Sequence, residues 1–251
     1  MHNKLKIIFW MVRNHYYRHL LYTLIFFLKK KFNNKIKVYE TSSFKEANKI
    51  CLNLVISQKE LYLKLFNKKN YKIKKNFLKK KSNNNKYKMG GGSDTVLIYN
   101  LLLNLKPKDI IEFGVANGWS TIAILKACEK NKSGNLISID MPYYFENAKL
   151  LIANLVDKKA YQNWKLLIGP QVNFFNQFKN KKFDFCHYDS DKSYQGRMYA
   201  YSKIWGSLKK KSVLLSDDIS DNMAFFHFCK NISKTPHVIK FKKKYLGLII
   251  K

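Results

Sequence analysis

Residues 110–120 read Ile-Ile-Glu-Phe-Gly-Val-Ala-Asn-Gly-Trp-Ser, and they constrain the fold of this 251-residue chain more than any other stretch. An apolar run ends in Glu112-x-Gly114-x-x-x-Gly118, and a helical pattern over 120–130 follows at once. A buried strand, a tight glycine turn and a helix N-terminus together form a geometry that holds an anionic or nucleotide-like ligand. The spacing differs from Gly-x-Gly-x-x-Gly, which disfavours a nicotinamide or flavin cofactor.

Downstream the patterns alternate regularly. Ser93 is expected to cap a helix running to Leu105, where Lys106-Pro107 breaks it. Strands are expected at 109–114, 135–140, 164–169, 183–189 and 212–217, with helices around 145–159 and 194–208. Two further strands, 237–241 and 245–250, flank a lysine-rich turn. The expectation is an α/β protein with a Rossmann-like, doubly wound, mostly parallel seven-stranded sheet that ends in an antiparallel hairpin.

The amino-terminal region, 1–88, reads as a basic, mainly helical appendage ending in a linker, and 89–251 reads as the core domain. Aromatic and basic residues mix over 5–31, but the uninterrupted apolar piece, 20–28, falls short of the ~20 residues that span a bilayer. Two readings stand: a helix lying on an anionic membrane surface, or one packing on the core or a partner. No small-residue cleavage site follows, so a cytoplasmic protein is expected, peripheral to the inner membrane face on the first reading. A second helix is expected over 44–66, with Ser43 and Glu46 spaced as a capping box. Residues 79–92, polar and closing in Gly90-Gly91-Gly92, read as a linker or a lid.

The net charge of +32 invites a nucleic-acid reading. Of the 48 basic residues, however, only Arg13, Arg18 and Arg197 are arginines, and arginine's bidentate fork is what reads phosphates and guanine edges. Abundant Asn, Ile, Phe and Tyr accompany the lysines, as codon bias in an AT-rich genome would produce. No specific nucleic-acid partner is expected. Cys51, Cys128, Cys186 and Cys229 are widely spaced and read as buried hydrophobes rather than zinc ligands or disulfides.

Polar residues gather at the strand ends. Asp140 is placed to accept ribose hydroxyls, or else to cap the next helix. Glu112, Gly114, Ala116, Asn117, Gly118 and Ser120 are expected to contact the ligand at the turn, with Asp189 beside them, and Gln171 lies where an adenine edge would fall. Asp189, Asp191, Asp217 and Asp218 converge at adjacent strand ends. Their repulsion predicts a divalent cation, and all-oxygen ligands suit Mg²⁺ or Mn²⁺.

Glu112-x-Gly114-x-x-x-Gly118 resembles the first motif of class I S-adenosylmethionine (SAM) methyltransferases. With Asp189-Ser-Asp-Lys192 and Leu214-Leu-Ser-Asp217-Asp218, the chain also resembles the metal-dependent O-methyltransferases typified by catechol O-methyltransferase. Asp189-Ser-Asp-Lys-Ser-Tyr194 is closer still to the Asp-Gly-Asp-His-Ser-Tyr signature of bacterial methyltransferases of glycan and natural-product clusters. The resemblance covers 93–250. It implies SAM as cofactor, Asp189, Asp217 and Asp218 as metal ligands, and Lys192, beside Asp189, as the base. Lys192 replaces the usual histidine of that branch, and Asp218 replaces the asparagine of the catechol branch. The implied reaction is O-methylation of a small molecule or sugar, with a surface glycan or glycolipid favoured.

The rivals are a nucleic-acid methyltransferase, which would carry Asn/Asp-Pro-Pro-Tyr/Phe after the fourth strand, and a non-catalytic binding module on the same fold. His187 reads as a core histidine or a second base. Tyr194, Arg197 and His227 read as substrate contacts or packing. Nothing fixes an oligomeric state, and a homodimer is one option.

Overall fold

A computed structural model describes residues 2–14, 16–32, 34–66, 92–142 and 148–251. The expected linker as far as Gly91, and residues 143–147 in the expected 145–159 helix, lie outside them. The chain opens with α1 (His2–Arg13), α2 (Tyr17–Phe32), α3 (Asn34–Leu54), the two-residue strand β1 (Val55–Ile56) and α4 (Gln58–Phe66). The alternating part follows: α5 (Thr95–Leu105), β2 (Asp109–Phe113), α6 (Trp119–Asn131), β3 (Asn135–Asp140), α7 (Ala148–Leu151), β4 (Trp164–Ile168) and β5 (Phe183–Tyr188). Then come α8 (Tyr194–Ser207), β6 (Leu208–Ser216), α9 (Ala224–Asn231) and the hairpin β7 (His237–Phe241) and β8 (Lys244–Ile250).

The strands form one sheet in the order β1-β7-β8-β6-β5-β2-β3-β4. β8 runs antiparallel to both its neighbours, and every other pairing is parallel. All seven expected strands are present. The eighth, β1, comes from the amino-terminal region and extends the edge by pairing Val55 with Val238 and Ile56 with Ile239.

Side chains alternate across the pleat. Phe113, Cys186, Tyr188 and Leu214 face one apolar layer, built with α8, α9 and the buried Ala47 and Cys51 of α3. Ile110, Phe185, Val213 and Leu215 face the other, filled by α5, α6 and by Leu61 and Tyr62 of α4. All four cysteines are buried free thiols.

Three expected elements need correction. The 44–66 helix is instead two helices separated by β1, because α3 begins earlier and ends at Leu54. Ser43 is no cap: it sits inside α3, buried, and its Oγ accepts the Met223 amide at 2.7 Å. The cap of α5 is Asp94, which accepts the Leu97 amide at 3.0 Å, rather than Ser93. The described part of 145–159 holds only the short α7 and the start of a 3-10 turn at Lys158–Ala160.

From β2 the chain steps outward through β3 to β4, then returns to place β5 and β6 on the other side of β2. The order therefore reverses between β2 and β5, and open α/β sheets bind ligands at the carboxyl ends of such a pair. Gly114 and Asp189 stand there.

The Ser43 bond joins α3 to the loop before α9. Ser43→Ala is expected to lower unfolding free energy by about 1–3 kcal/mol, since a buried amide loses its acceptor. Urea unfolding checks this, and an unchanged midpoint would show that the bond does not secure α3.

Candidate active site

The turn after β2 is stitched to both neighbouring strands. Gly114 donates to the Ile139 carbonyl at 2.9 Å, and the Asp189 amide donates to the Phe113 carbonyl at 2.7 Å. Gly114 (φ 88°), Ala116 (φ 47°) and Gly118 (φ 97°) adopt left-handed backbone. A Cβ at Gly114 would stand 2.1 Å from the Asp189 carbonyl oxygen, so only glycine allows β2 and β5 to end this close together. Asp140 reaches across from β3: its Oδ2 accepts the Val115 and Ala116 amides at 2.9 and 2.6 Å, and its Oδ1 accepts the Met141 amide at 2.7 Å. Burial pushes the Asp140 carboxyl above its ordinary value despite these donors.

Beneath the turn lies Glu112, with 0% exposure. Its carboxylate accepts Ser120 Oγ at 2.6 Å, Thr121 Oγ1 at 2.7 Å and Ser138 Oγ at 2.7 Å. Glu112 was expected to contact the cofactor. The three hydroxyls instead hold it inside the protein, where it anchors the first turn of α6. Ser120 lines the turn, but its hydroxyl is committed to Glu112.

His187, in register with Glu112 on β5, is fully buried. Its Nδ1 lies 3.6 Å from Glu112 and its Nε2 lies 3.3 Å from Asp217. Burial alone would lower the imidazole pKa, but the carboxylates of Asp217 and Glu112 outweigh it and raise it to about 10. His187 is thus a buried cation bridging two acids, in keeping with the core-histidine reading.

Above the strand ends opens a cavity of about 620 Å³, lined by Ala116, Asp140, Gln171, Asp189, Lys192 and Asp218 among others. A smaller space of about 110 Å³ lies over the turn against Gly114, Asn117 and Ser120, and shares Ala116, Asp140, Asp189 and Lys244 with the larger one. The two adjoin along these four residues. Gln171 donates to the Tyr188 hydroxyl at 3.4 Å, while its buried Oε1 has no hydrogen-bond partner among the described residues.

The aspartates do not form the expected metal cage. Asp217 turns inward, accepting Ser93 Oγ at 2.8 Å and facing His187. Asp189 pairs with Lys192. Asp218 receives Lys192 at 2.9 Å and Lys244 at 3.0 Å. Two ammonium groups thus relieve the repulsion that suggested a cation. Among the described residues, no group of three or more His, Cys, Asp or Glu is arranged to hold a metal.

The expected role of Lys192 as base also changes. Burial would lower its pKa, but Asp189 and Asp218 outweigh it and hold it at about 12, so the group stays protonated at neutral pH. Arg197 is fully buried and donates to the Asp217 carbonyl and to Asp221, both at 3.3 Å, so it supports the strand end from inside. Tyr194 and His227 bond to each other at 2.9 Å.

Lys244, His19 and Thr23 also line the cleft, and no motif pointed to them. Lys244 is the first residue of β8, just after the lysine-rich hairpin turn, and the other two arrive on α2. Only the composition of that turn hinted at the first.

Residues 111–219 match the protein family described as "Methyltransferase domain". Among solved structures the chain is similar to an O-methyltransferase from Bacillus cereus in complex with SAH (16% identity, 64% of this chain and 82% of that one, TM-score 0.52). A putative O-methyltransferase from Klebsiella pneumoniae matches at 14% identity, 64% and 82% coverage and TM-score 0.53. The O-methyltransferase TomG from Streptomyces achromogenes, in complex with SAM, matches at 14%, 62% and 78%, and 0.50. These likenesses establish a shared fold. No curated protein sequence matches the chain.

The His187 bridge carries a pH signature. Its folded pKa lies above the ordinary 6.5, so its stabilisation is complete below about pH 6.5 and is lost as pH rises through about 10. His187→Gln is expected to cost about 3–5 kcal/mol at neutral pH, because two buried carboxylates lose their counter-charge. Over that window its stability should fall less with pH than that of the wild type. Unfolding curves across pH check both, and parallel pH profiles would refute the bridge.

Proposed function

We propose that this chain transfers the methyl group of SAM to a hydroxyl oxygen of a small molecule or glycan. The observation that carries this reading is the pair of adjoining cavities that run from the Gly114–Gly118 turn, past Asp140, to Asp189 and Lys192. Their size suits a nucleoside-sized cofactor with an acceptor beside it. The residues fit SAM: left-handed glycines open the turn, the strand-end carboxylate of Asp140 suits ribose hydroxyls, and the orphan Gln171 Oε1 suits an adenine amino group. The helix N-terminus behind Gly118 suits the methionine carboxylate.

When bound, SAM supplies an electrophilic methyl group. Lys192, as an ammonium, orients the acceptor oxygen by hydrogen bonding. Asp191 and His19 serve as the proton acceptors on the cleft wall, since Asp189 and Asp218 are paired with Lys192. Burial lowers the pKa of His19, against the opposing pull of Asp191, and so favours its neutral form. Positioning then supplies much of the acceleration.

The names of the solved relatives favour oxygen as the methylated atom. A hydroxylated sugar of a glycan or glycolipid is the favoured acceptor, from the signature around Asp189, and a phenol comes second. Asp189-Ser-Asp-Lys192 in place of Asn/Asp-Pro-Pro-Tyr/Phe counts against base methylation. Calorimetry with SAM tests the reading. Micromolar binding is expected, and Asp140→Ala, with its unfolding midpoint checked, should weaken it at least about tenfold, as expected for loss of a charge-assisted ligand bond. No SAM binding by the wild type would sink the proposal.

The amino-terminal helices support an anionic membrane surface as partner. Tyr17, Leu21, Leu24 and Leu28 recur at helical spacing as an exposed stripe on α2, with Leu21 61% exposed, and Phe9 of α1 is 73% exposed. His19 and Thr23 line the cleft from the opposite face of the same helix, so the stripe points away from the cleft toward solvent. No helix among the described residues is long and apolar enough to cross a membrane. An exposed apolar face on a lysine-rich chain fits binding in the plane of the headgroups. Phosphatidylglycerol vesicles should co-sediment with the protein and phosphatidylcholine vesicles much less, with Phe9→Ser/Leu21→Ser weakening binding about tenfold. Equal behaviour on the two lipids would refute it.

A further inference from the structure

Three acidic side chains at adjacent strand ends would ordinarily be read as a cation site. Here the positive charge is built into the chain. Lys192, three residues after Asp189, bridges Asp189 and Asp218, and Lys244, the first residue of β8, contacts both oxygens of Asp218 at 3.0 and 3.1 Å. The third carboxylate, Asp217, is spent on Ser93 and His187. A divalent ion needs several oxygens free to converge on it, and it would have to expel two ammonium groups first.

We propose that Lys192 and Lys244 serve as an internal counter-cation pair, so that the Asp189–Asp218 cluster takes up no divalent metal and methyl transfer runs without one. The claim rests on the methyl-transfer reading for its second half only. It assigns Lys244 a positioning role: with Lys192 it holds Asp218 and leaves both ammonium groups on the cleft wall where a substrate hydroxyl enters.

The test is Mn²⁺ titration of the full chain by electron paramagnetic resonance, for the wild type and for Lys192→Met/Lys244→Met. The wild type should show no stoichiometric uptake below millimolar Mn²⁺. The double variant, its aspartates released from their partners, should bind at least about tenfold more tightly. Should the double variant fail to fold, Lys244→Met alone serves, since that side chain is 55% exposed and outside the core. Calorimetry with SAM in EDTA accompanies both, and wild-type SAM affinity should not change on chelation. Micromolar, stoichiometric Mn²⁺ uptake by the wild type would overturn the proposal, as would folded variants that bind no more Mn²⁺ than it does. Loss of SAM binding alone would overturn the methyl-transfer reading and leave the metal result standing.

Discussion

The buried carboxylate of Glu112 is the interaction on which the site depends. It sits at zero exposure and gathers hydroxyls from the first turn of α6 and from β3, with the His187 imidazole of β5 beside it. A charge so placed is tolerated only when its surroundings satisfy it, and each partner fixes one element around the turn. The helix, the neighbouring strand and the far strand are thereby set relative to Gly114. His187 carries the connection on to Asp217, so the ends of β2, β5 and β6 share one polar chain inside an apolar sheet.

Acidic residues are scarce in this sequence, 16 against 48 basic ones. Yet Asp94, Glu112, Asp140, Asp189, Asp217 and Asp218 all cluster around this end of the sheet. The electrostatic character of the cleft is therefore local and opposite in origin to that of the surface. Outside it the ion pairs of Lys64, Lys126 and Lys209 lie at the surface, where solvent and salt screen them. Inside it each cation has a named carboxylate partner, and burial makes these pairings selective.

The core strands were legible because each is an apolar run bounded by turn residues, and β3 and β7 fall where the pattern puts them. Helix limits were less so. Ser43 and Glu46 mimic a cap, but Ser43 is drawn into a helix interior by the Met223 amide, a partner 180 residues away. β1 is only two residues long and exists through its pairing with β7, which no local pattern records. The site divides the same way. Gly114, Asp140 and Asp189 follow from their places at strand ends, whereas the state of Lys192 depends on Asp218, and Lys244 and His19 reach the cleft through tertiary packing alone.

The pairing of β1 with β7 joins a residue pair such as Val55 and Val238, from opposite ends of the chain. Such a contact is costly to close early, because the intervening loop entropy must be overcome first. During synthesis the edge of the sheet and the helix α3 docked behind it have no complete surface to join until the closing hairpin has emerged. The central parallel strands can assemble before that. The cleft wall that α2 contributes, joined to that edge through α3, is thus set only after the β7–β8 hairpin has emerged.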